Sequence, residues 1–413
     1  MRNFYATYRS FGAPSRMLMV NQFAINTGFF MLMPYLAAHM AGPLGLAAWA
    51  VGLVLGIRNF SQQGMFLVGG TLADRLGYKP LIVAGCLLRT GGFALLAVAD
   101  SLTALLIASA ATGFAGALFN PAVRAYLAVD AGERRLEAFA LFNIFYQAGT
   151  LLGPILGLVL MAFDFQVTAA AAAAVFAVLT VAQLRALPQH RAAPKSASVL
   201  DDWRTALANR PFLLFSAAMI GCYVLSFQVY LALPMQADRV VGAGAAAALM
   251  TAVFVVSGVI AIAGQLRITR WFAARWGRPR SLVIGLGVLA AAFVPLLLVP
   301  GTAFGVPVAV GALLLTAAGL GIGAAAVFPF EMDTVVALCG DRLVATHYGL
   351  YNTIVGTGIL LGNLGTGTVL DAARAAGVSS LAWAALIAIG LASAAGLYRL
   401  ARTGRLESRV PVG

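Results

Sequence analysis

The sequence predicts an all-α membrane protein of twelve transmembrane helices arranged as two pseudo-symmetric six-helix halves. Three observations point there. Hydrophobic residues make up 61% of the 413 and charged ones only 10%, with a mean hydropathy of +0.92. That apolar surface exceeds what one soluble core buries, so lipid must solvate most of it. Gly, Pro and charge clusters cut the chain into apolar runs of roughly 20 residues, the length that crosses the hydrocarbon of a bilayer. Finally, the second half repeats the first. LFNIFYQAGTLLGPILG at 141–157 and LYNTIVGTGILLGNLG at 350–365 share Leu141/Leu350, Asn143/Asn352, Gly149/Gly358, Leu152/Leu361 and Gly153/Gly362 at an offset of 209.

The predicted spans are 17–40, 48–72, 81–99, 102–127, 138–162 and 166–187 in the first half. Those of the second are 212–236, 244–268, 281–299, 306–330, 346–370 and 378–400. The first span is too long for the apolar core of a signal peptide and runs straight into the second, so it is expected to be retained. Residues 188–210, PQHRAAPKSASVLDDWRTALANR, are polar, basic and Pro-interrupted. They form the expected cytoplasmic linker between halves 1–187 and 211–413. Its Asp201-Asp202-Trp203 stretch is read either as a short amphipathic helix on the membrane surface or as an unstructured tether. A second, weaker match pairs RLGYKPLIVAG (75–85) with RWGRPRSLVIG (275–285), at the same place in each half. Duplicated halves imply a central site reached by rocking one against the other.

Charge sets the orientation. Of 27 Lys and Arg, Arg239 and Arg374 fall in outward loops and Arg58 and Arg89 within spans. The remaining 23 share one side, which puts both termini in the cytoplasm. The net charge of +13 is then mainly a topology signal, with attraction to anionic lipid headgroups. Nucleic acid is not an expected partner, because no basic run is interleaved with the aromatics a single-strand binder needs. Three scattered cysteines (Cys86, Cys222, Cys339) and three scattered histidines (His39, His190, His347) offer neither a disulfide framework nor a metal spacing. No nucleophile-and-base constellation or phosphate-binding loop appears. The reading is therefore not an enzyme, with no cofactor and no metal.

Polar residues inside spans carry the site predictions. An Arg at the centre of a membrane helix costs roughly 2.5 to 3.5 kcal/mol on insertion scales, so Arg58 must face protein or water. Gln62 lies on the same helix face. Arg58 is read as a cavity-lining cation for an anionic or zwitterionic group, or as a structural pin; Arg89 is read as structural. Asn26 and Phe30 in the first span, and Tyr223, Gln228 and Tyr230 in the seventh, supply the mostly apolar wall with a few polar groups that a small-molecule pocket requires. The first span has no acid. Of the 14 acids only Glu331 and Asp333, just after Pro329, are read as lying within the membrane or at its cytoplasmic edge. Arg124 stands similarly after Pro121, so the acids are read as a proton site or as salt-bridge partners of Arg124.

Gly70, Leu72, Ala73, Asp74, Arg75, Gly77 and Lys79 resemble the loop between helices two and three of the major facilitator superfamily. Tyr78 replaces the Arg usual there. The resemblance implies that Asp74 caps a helix of the opposite half and that the basic residues latch the cytoplasmic side, so the loop gates transport. A carboxylate at a helix N-terminus is favoured by the helix dipole. Gly149, Gly153, Pro154 and Gly157 resemble the fifth-helix signature of the antiporter branch, mostly exporters, although Ala140 stands where the full signature begins with Gly. Small residues at that spacing also let helices pack closely. GIRNFSQQG (56–64), ADRLGYKP (73–80), LLRTGGF (87–93) and GCYVLSFQVYLALPM (221–235) resemble a multidrug-resistance transporter of this superfamily.

That likeness implies proton-coupled export of drug-like molecules from a bacterial inner membrane, by a monomer. Its expected partners are a small-molecule substrate, protons and the lipid bilayer. The acid-poor cavity with an Arg favours zwitterionic or anionic substrates. The alternatives are a dedicated exporter of an anionic metabolite such as a siderophore, and a non-transporting membrane receptor.

Overall fold

The computed structural model describes residues 2–188, 198–299, 301–376, 378 and 380–406. Every regular element among them is a helix. By contact the chain forms two compact units, Met1–Asn209 with Asp341–Thr353, and Arg210–Gly340 with Ile354–Gly413.

The first unit contains α1 (Arg2–Arg9), α2 (Ala13–Ala41), α3 (Ala48–Gln63), α4 (Phe66–Leu76), α5 (Tyr78–Leu96), α6 (Leu102–Ala131), α7 (Arg135–Met161), α8 (Phe165–Ala186) and α9 (Val199–Ala208). Pro34, Pro121 and Pro154 sit inside continuous helices, as helices in a bilayer tolerate. The predicted span 48–72 is two helices, interrupted where the polar run Ser61-Gln62-Gln63 meets Gly64. Gly77, at φ 95° and ψ 155°, turns the chain from α4 into α5 with no intervening loop, a conformation a side chain resists. Of the linker, residues 189–197, including His190, lie outside the described residues. The Asp201-Asp202-Trp203 stretch is helical, and the Ser198 hydroxyl accepts the Asp201 N–H at 3.1 Å to start α9.

The second unit contains α10 (Arg210–Phe227), α11 (Ala232–Val241), α12 (Ala243–Ala291), α13 (Val294–Leu298), α14 (Val306–Cys339), α15 (Val344–Ala375) and α16 (Leu381–Arg402), with the first turns of α15 counted by contact in the first unit. The predicted span 212–236 breaks at a 3-10 turn, Gln228–Tyr230. Pro234 then falls in the opening turn of α11, where backbone N–H groups have no helical partner to lose. Residues 269–280, expected to connect two spans, hold the break between them at Gly277 (φ 67°, ψ −179°), where the backbone leaves the helical region; helical turns run up to it from both sides, so α12 is two helices joined at that residue. Trp276 holds that stretch by meeting Trp271 and Phe272 edge to face at 4.7 and 4.8 Å. Gly77 and Gly277 occupy equivalent places in the two copies of the weaker repeat, and both make the same left-handed turn.

Each unit has its own core. In the first, Phe93, Phe119, Phe139, Phe176, Tyr126 and Tyr348 are fully buried; in the second, Trp383 stacks on Phe293 at 6.2 Å. Large apolar side chains such as Val98, Phe163, Val178 and Leu298 are exposed. An apolar exterior over an apolar interior is the pattern lipid requires. Among the described residues, eight helical stretches are long and apolar enough to cross a membrane. One of them, Ala248–Leu298, has 51 residues. At about 1.5 Å per residue it exceeds one crossing of a roughly 30 Å core.

Candidate functional site

The densest polar constellation in the first unit surrounds α4. Its paired glycines make close approach possible on two sides. A Cβ at Gly69 would lie 2.0 Å from the Ala117 carbonyl of α6, and one at Gly70 would lie 2.1 Å from the Ala345 carbonyl of α15. Gly349 answers from α15, where a Cβ would meet the Phe66 carbonyl at 2.3 Å. No other residue type permits that backbone contact.

The approach brings Asp74 onto the start of α15. Its Oδ1 accepts the Ala345 N–H at 3.1 Å, and its Oδ2 accepts both the Thr346 N–H and the Thr346 hydroxyl at 2.7 Å. These amides belong to the first turn, which has no partners of its own, so the carboxylate works as a cap supplied from a distant segment. Tyr78 adds a phenol donor at 3.4 Å, in the place where Arg is usual. Asp74 lies two residues beyond the predicted span. Burial pushes its carboxyl up to about 6, against the opposing pull of its hydrogen bonds from Thr346, Ala345 and Tyr78.

The basic residues of the loop are engaged one by one. Arg75 Nε meets Asp202 Oδ2 of α9 at 2.6 Å, with Asp202 only 3% exposed. Beside it, Trp203 Nε1 donates to the Thr71 hydroxyl at 2.8 Å. Lys79 donates to the Leu184 carbonyl near the end of α8 at 2.8 Å, a favourable place for a cation. Arg124 Nη1 donates to Asn352 Oδ1 at 3.0 Å, which ties α6 to the repeat-marked Asn of α15.

The small-residue stripe of α7 packs on α2. A Cβ at Gly149 or Gly157 would lie 2.3 Å from the Phe23 carbonyl or 2.1 Å from the Met31 carbonyl, and one at Gly153 would lie 2.8 Å from Phe30 Cβ. The Pro154 carbonyl accepts the Tyr35 hydroxyl at 2.7 Å. Asn26 is committed to the same contact, donating to the Tyr146 carbonyl and the Thr150 hydroxyl at 2.9 and 3.1 Å. Arg58 and Gln62 are half-buried on α3. Arg89 is buried among Phe29, Phe119 and Phe176.

In the second unit, Gln228 is fully buried and donates back to the Val224 carbonyl. Tyr230 is exposed and packs on Phe227 and Phe254. Tyr223 donates to Glu331 Oε1 at 2.5 Å, and Asp333 pairs with Arg278 at 3.1 Å. Thr71, Arg278, Thr346 and Gly349 were not singled out by sequence reasoning, and Asp202 and Trp203 were read only as part of the linker. Only Gly349 has a local signal, a glycine in a helix rich in small residues.

The model of the Major Facilitator Superfamily matches residues 18–363. This chain belongs to that superfamily. An uncharacterized MFS-type transporter of Mycobacterium tuberculosis is 64% identical over 96% of this chain and 95% of the relative. The multidrug resistance protein MdtH of Klebsiella pneumoniae is 30% identical over 95% and 96%. Among solved structures, the human organic anion transporter MFSD10 aligns with a TM-score of 0.71 at 16% identity, covering 93% of this chain and 99% of that one. The Escherichia coli fucose:proton symporter FucP gives 0.71 at 17%, covering 92% and 98%. The chain has the superfamily fold, and it is a multi-pass membrane transporter rather than an enzyme.

Proposed function

We propose that this transporter exports drug-like zwitterionic or anionic small molecules by alternating access, in exchange for protons. The observation that carries the reading is the seat of Asp74 on the first turn of α15. A carboxylate buried on another segment's helix start can be docked or withdrawn as a unit, which is what a gate needs. The likeness to MdtH supports drug-like cargo, and the half-buried Arg58 supports an anionic group on it. Glu331 is proposed as the proton carrier, held by the Tyr223 hydroxyl. Asp333, ion-paired with Arg278, is proposed to serve as a structural salt bridge. Arg124, hydrogen-bonded to Asn352, is proposed to steady the start of α15.

The test is transport by the purified protein in liposomes under an imposed pH gradient. Cationic, zwitterionic and anionic compounds are compared. Zwitterions and anions are expected to move against a proton flux. Movement of lipophilic cations alone would refute the substrate class, and transport indifferent to the gradient would refute the coupling. A dedicated anionic-metabolite exporter, which Arg58 equally favours, would move a single anion of the panel.

A further inference from the structure

The first unit carries Arg58 and Arg89 inside predicted spans, yet every one of its acids falls between spans. Neither arginine has a carboxylate partner among the described residues. Arg89 is 3% exposed, its Nε lacks any hydrogen-bond partner, and its Nη2 reaches only the Thr112 carbonyl at 3.5 Å. Rings of Phe29, Phe119 and Phe176 surround it at 4.7, 4.8 and 5.3 Å. Arg58, from a different helix, stands over the same Phe29 ring at 5.2 Å, and its Nε is also unpartnered. Gln62 joins them across Gly116, where an added Cβ would lie 3.1 Å from both Arg89 Nη2 and the Gln62 amide carbon. Five helices thus bring two guanidiniums to the Phe29 ring, with the Gln62 amide close to one of them.

Contact with aromatic rings offsets only part of what burying a guanidinium costs. Two like charges on one ring make the arrangement worse until an anion arrives. A planar carboxylate accepts the paired N–H groups of a guanidinium. Phe29, itself half-buried, meets Phe30 edge to face at 5.2 Å, an aromatic surface on which a ring can lie. We propose that Arg58, Arg89, Gln62 and Phe29 form a recognition site for the carboxylate of an aromatic monoacid. This rests on the export reading above and narrows its cargo, and it makes Arg89 a substrate-binding group instead of a pin.

The test uses the purified full-length protein with benzoate, and with benzylammonium as a probe of the same shape and opposite charge. Benzoate is expected to bind and to raise the melting temperature, and benzylammonium to do neither. Arg58→Lys and Arg89→Lys keep the charge but lose the fork, and each should weaken benzoate binding about tenfold or more. Equal effects of the two probes, no benzoate binding, or unchanged affinity in the lysine variants would overturn the site. Should Arg89→Lys fail to fold, Arg58→Lys and Gln62→Leu decide by the same measurement. If benzoate does not bind while proton-driven efflux of other compounds persists, the site fails and the export reading stands. Benzoate binding with no efflux of any compound would refute export and leave the site.

Discussion

Asp74 shows how much a single side chain can do when its partners come from elsewhere in the chain. A buried carboxylate is expensive unless hydrogen bonds replace its lost water, and here two first-turn amides and a hydroxyl do so. Asp74→Asn would turn one acceptor oxygen into an NH2 facing those donors. It should cost roughly 1–3 kcal/mol in the seat and lower transport about tenfold or more, while the protein still inserts and purifies as a single species. Wild-type transport rates in liposomes would refute the gating role. The pH dependence has a definite sign. The seated carboxyl holds its proton up to about pH 6, whereas an unseated one releases it near 3.9. The seat therefore gains fully below the lower value and loses that gain as pH rises through 6. The melting temperature of the wild type relative to Asp74→Asn should climb between pH 7.5 and 5.5; a flat difference would refute the linkage. Asp74 was legible because its neighbours form a local pattern. Thr346 and Asp202 were not, since their bonds close 272 and 127 residues of chain and leave no mark in either neighbourhood.

Among elements, the informative contrast is between glycines that touch another backbone and glycines that touch nothing. Gly70 and Gly349 let α4 and the start of α15 meet, and that contact aims the free amides at Asp74. Gly70→Ala should force the helices apart and cost about 1–3 kcal/mol, in the range of overpacked cores. Gly56→Ala in α3, where an added Cβ meets nothing within 4 Å, should leave the melting temperature unchanged or slightly raised. Equal losses in the two variants would mean that the close approach is not what fixes the gate. Most helices were legible from apolar run length, because lipid demands continuous helix where soluble folds tolerate interruption. The exceptions have physical causes. The apolar run 212–236 read as one span, but the chain breaks within it, at Gln228–Tyr230, so that Pro234 falls in the first turn of a new helix. The stretch 269–280 read as a connection because it is charged, and the chain does break there at Gly277, but helical turns carrying Trp271, Phe272 and Trp276 run right up to the break.

For the whole molecule, the repeat at offset 209 made the duplication visible, but it does not say which turns pack with which unit. Residues Asp341–Thr353 follow α14 in the chain and belong by contact with the first unit. The Asp74 seat, the Gly70 contact and the Arg124–Asn352 bond draw them there. Cys86, Cys222 and Cys339 are buried, so introduced cysteines can be labelled against a low background. Those at 199–205 should react only from the cytoplasm and those near 43 and 301 only from outside; the reverse at either set would sink the assigned orientation.

Coupling is the property that depends on the complete cycle, and the two acids of α14 make it decidable. Asp333 is ion-paired with Arg278 at 3.1 Å, a contact that reads as structural. An acid held by a phenol, as Glu331 is by Tyr223, can take a proton and retain the hydrogen bond by reversing its direction. Glu331→Gln should therefore abolish substrate-driven proton movement in liposomes while leaving substrate binding intact. Asp333→Asn should keep the coupling and mainly lower the melting temperature, by roughly 3–5 kcal/mol of lost stability if Arg278 is left buried without a counter-charge. If protons still move with substrate in the double variant, neither acid carries them. The proton path then runs through Asp74, whose carboxyl already titrates near 6, or through the substrate itself.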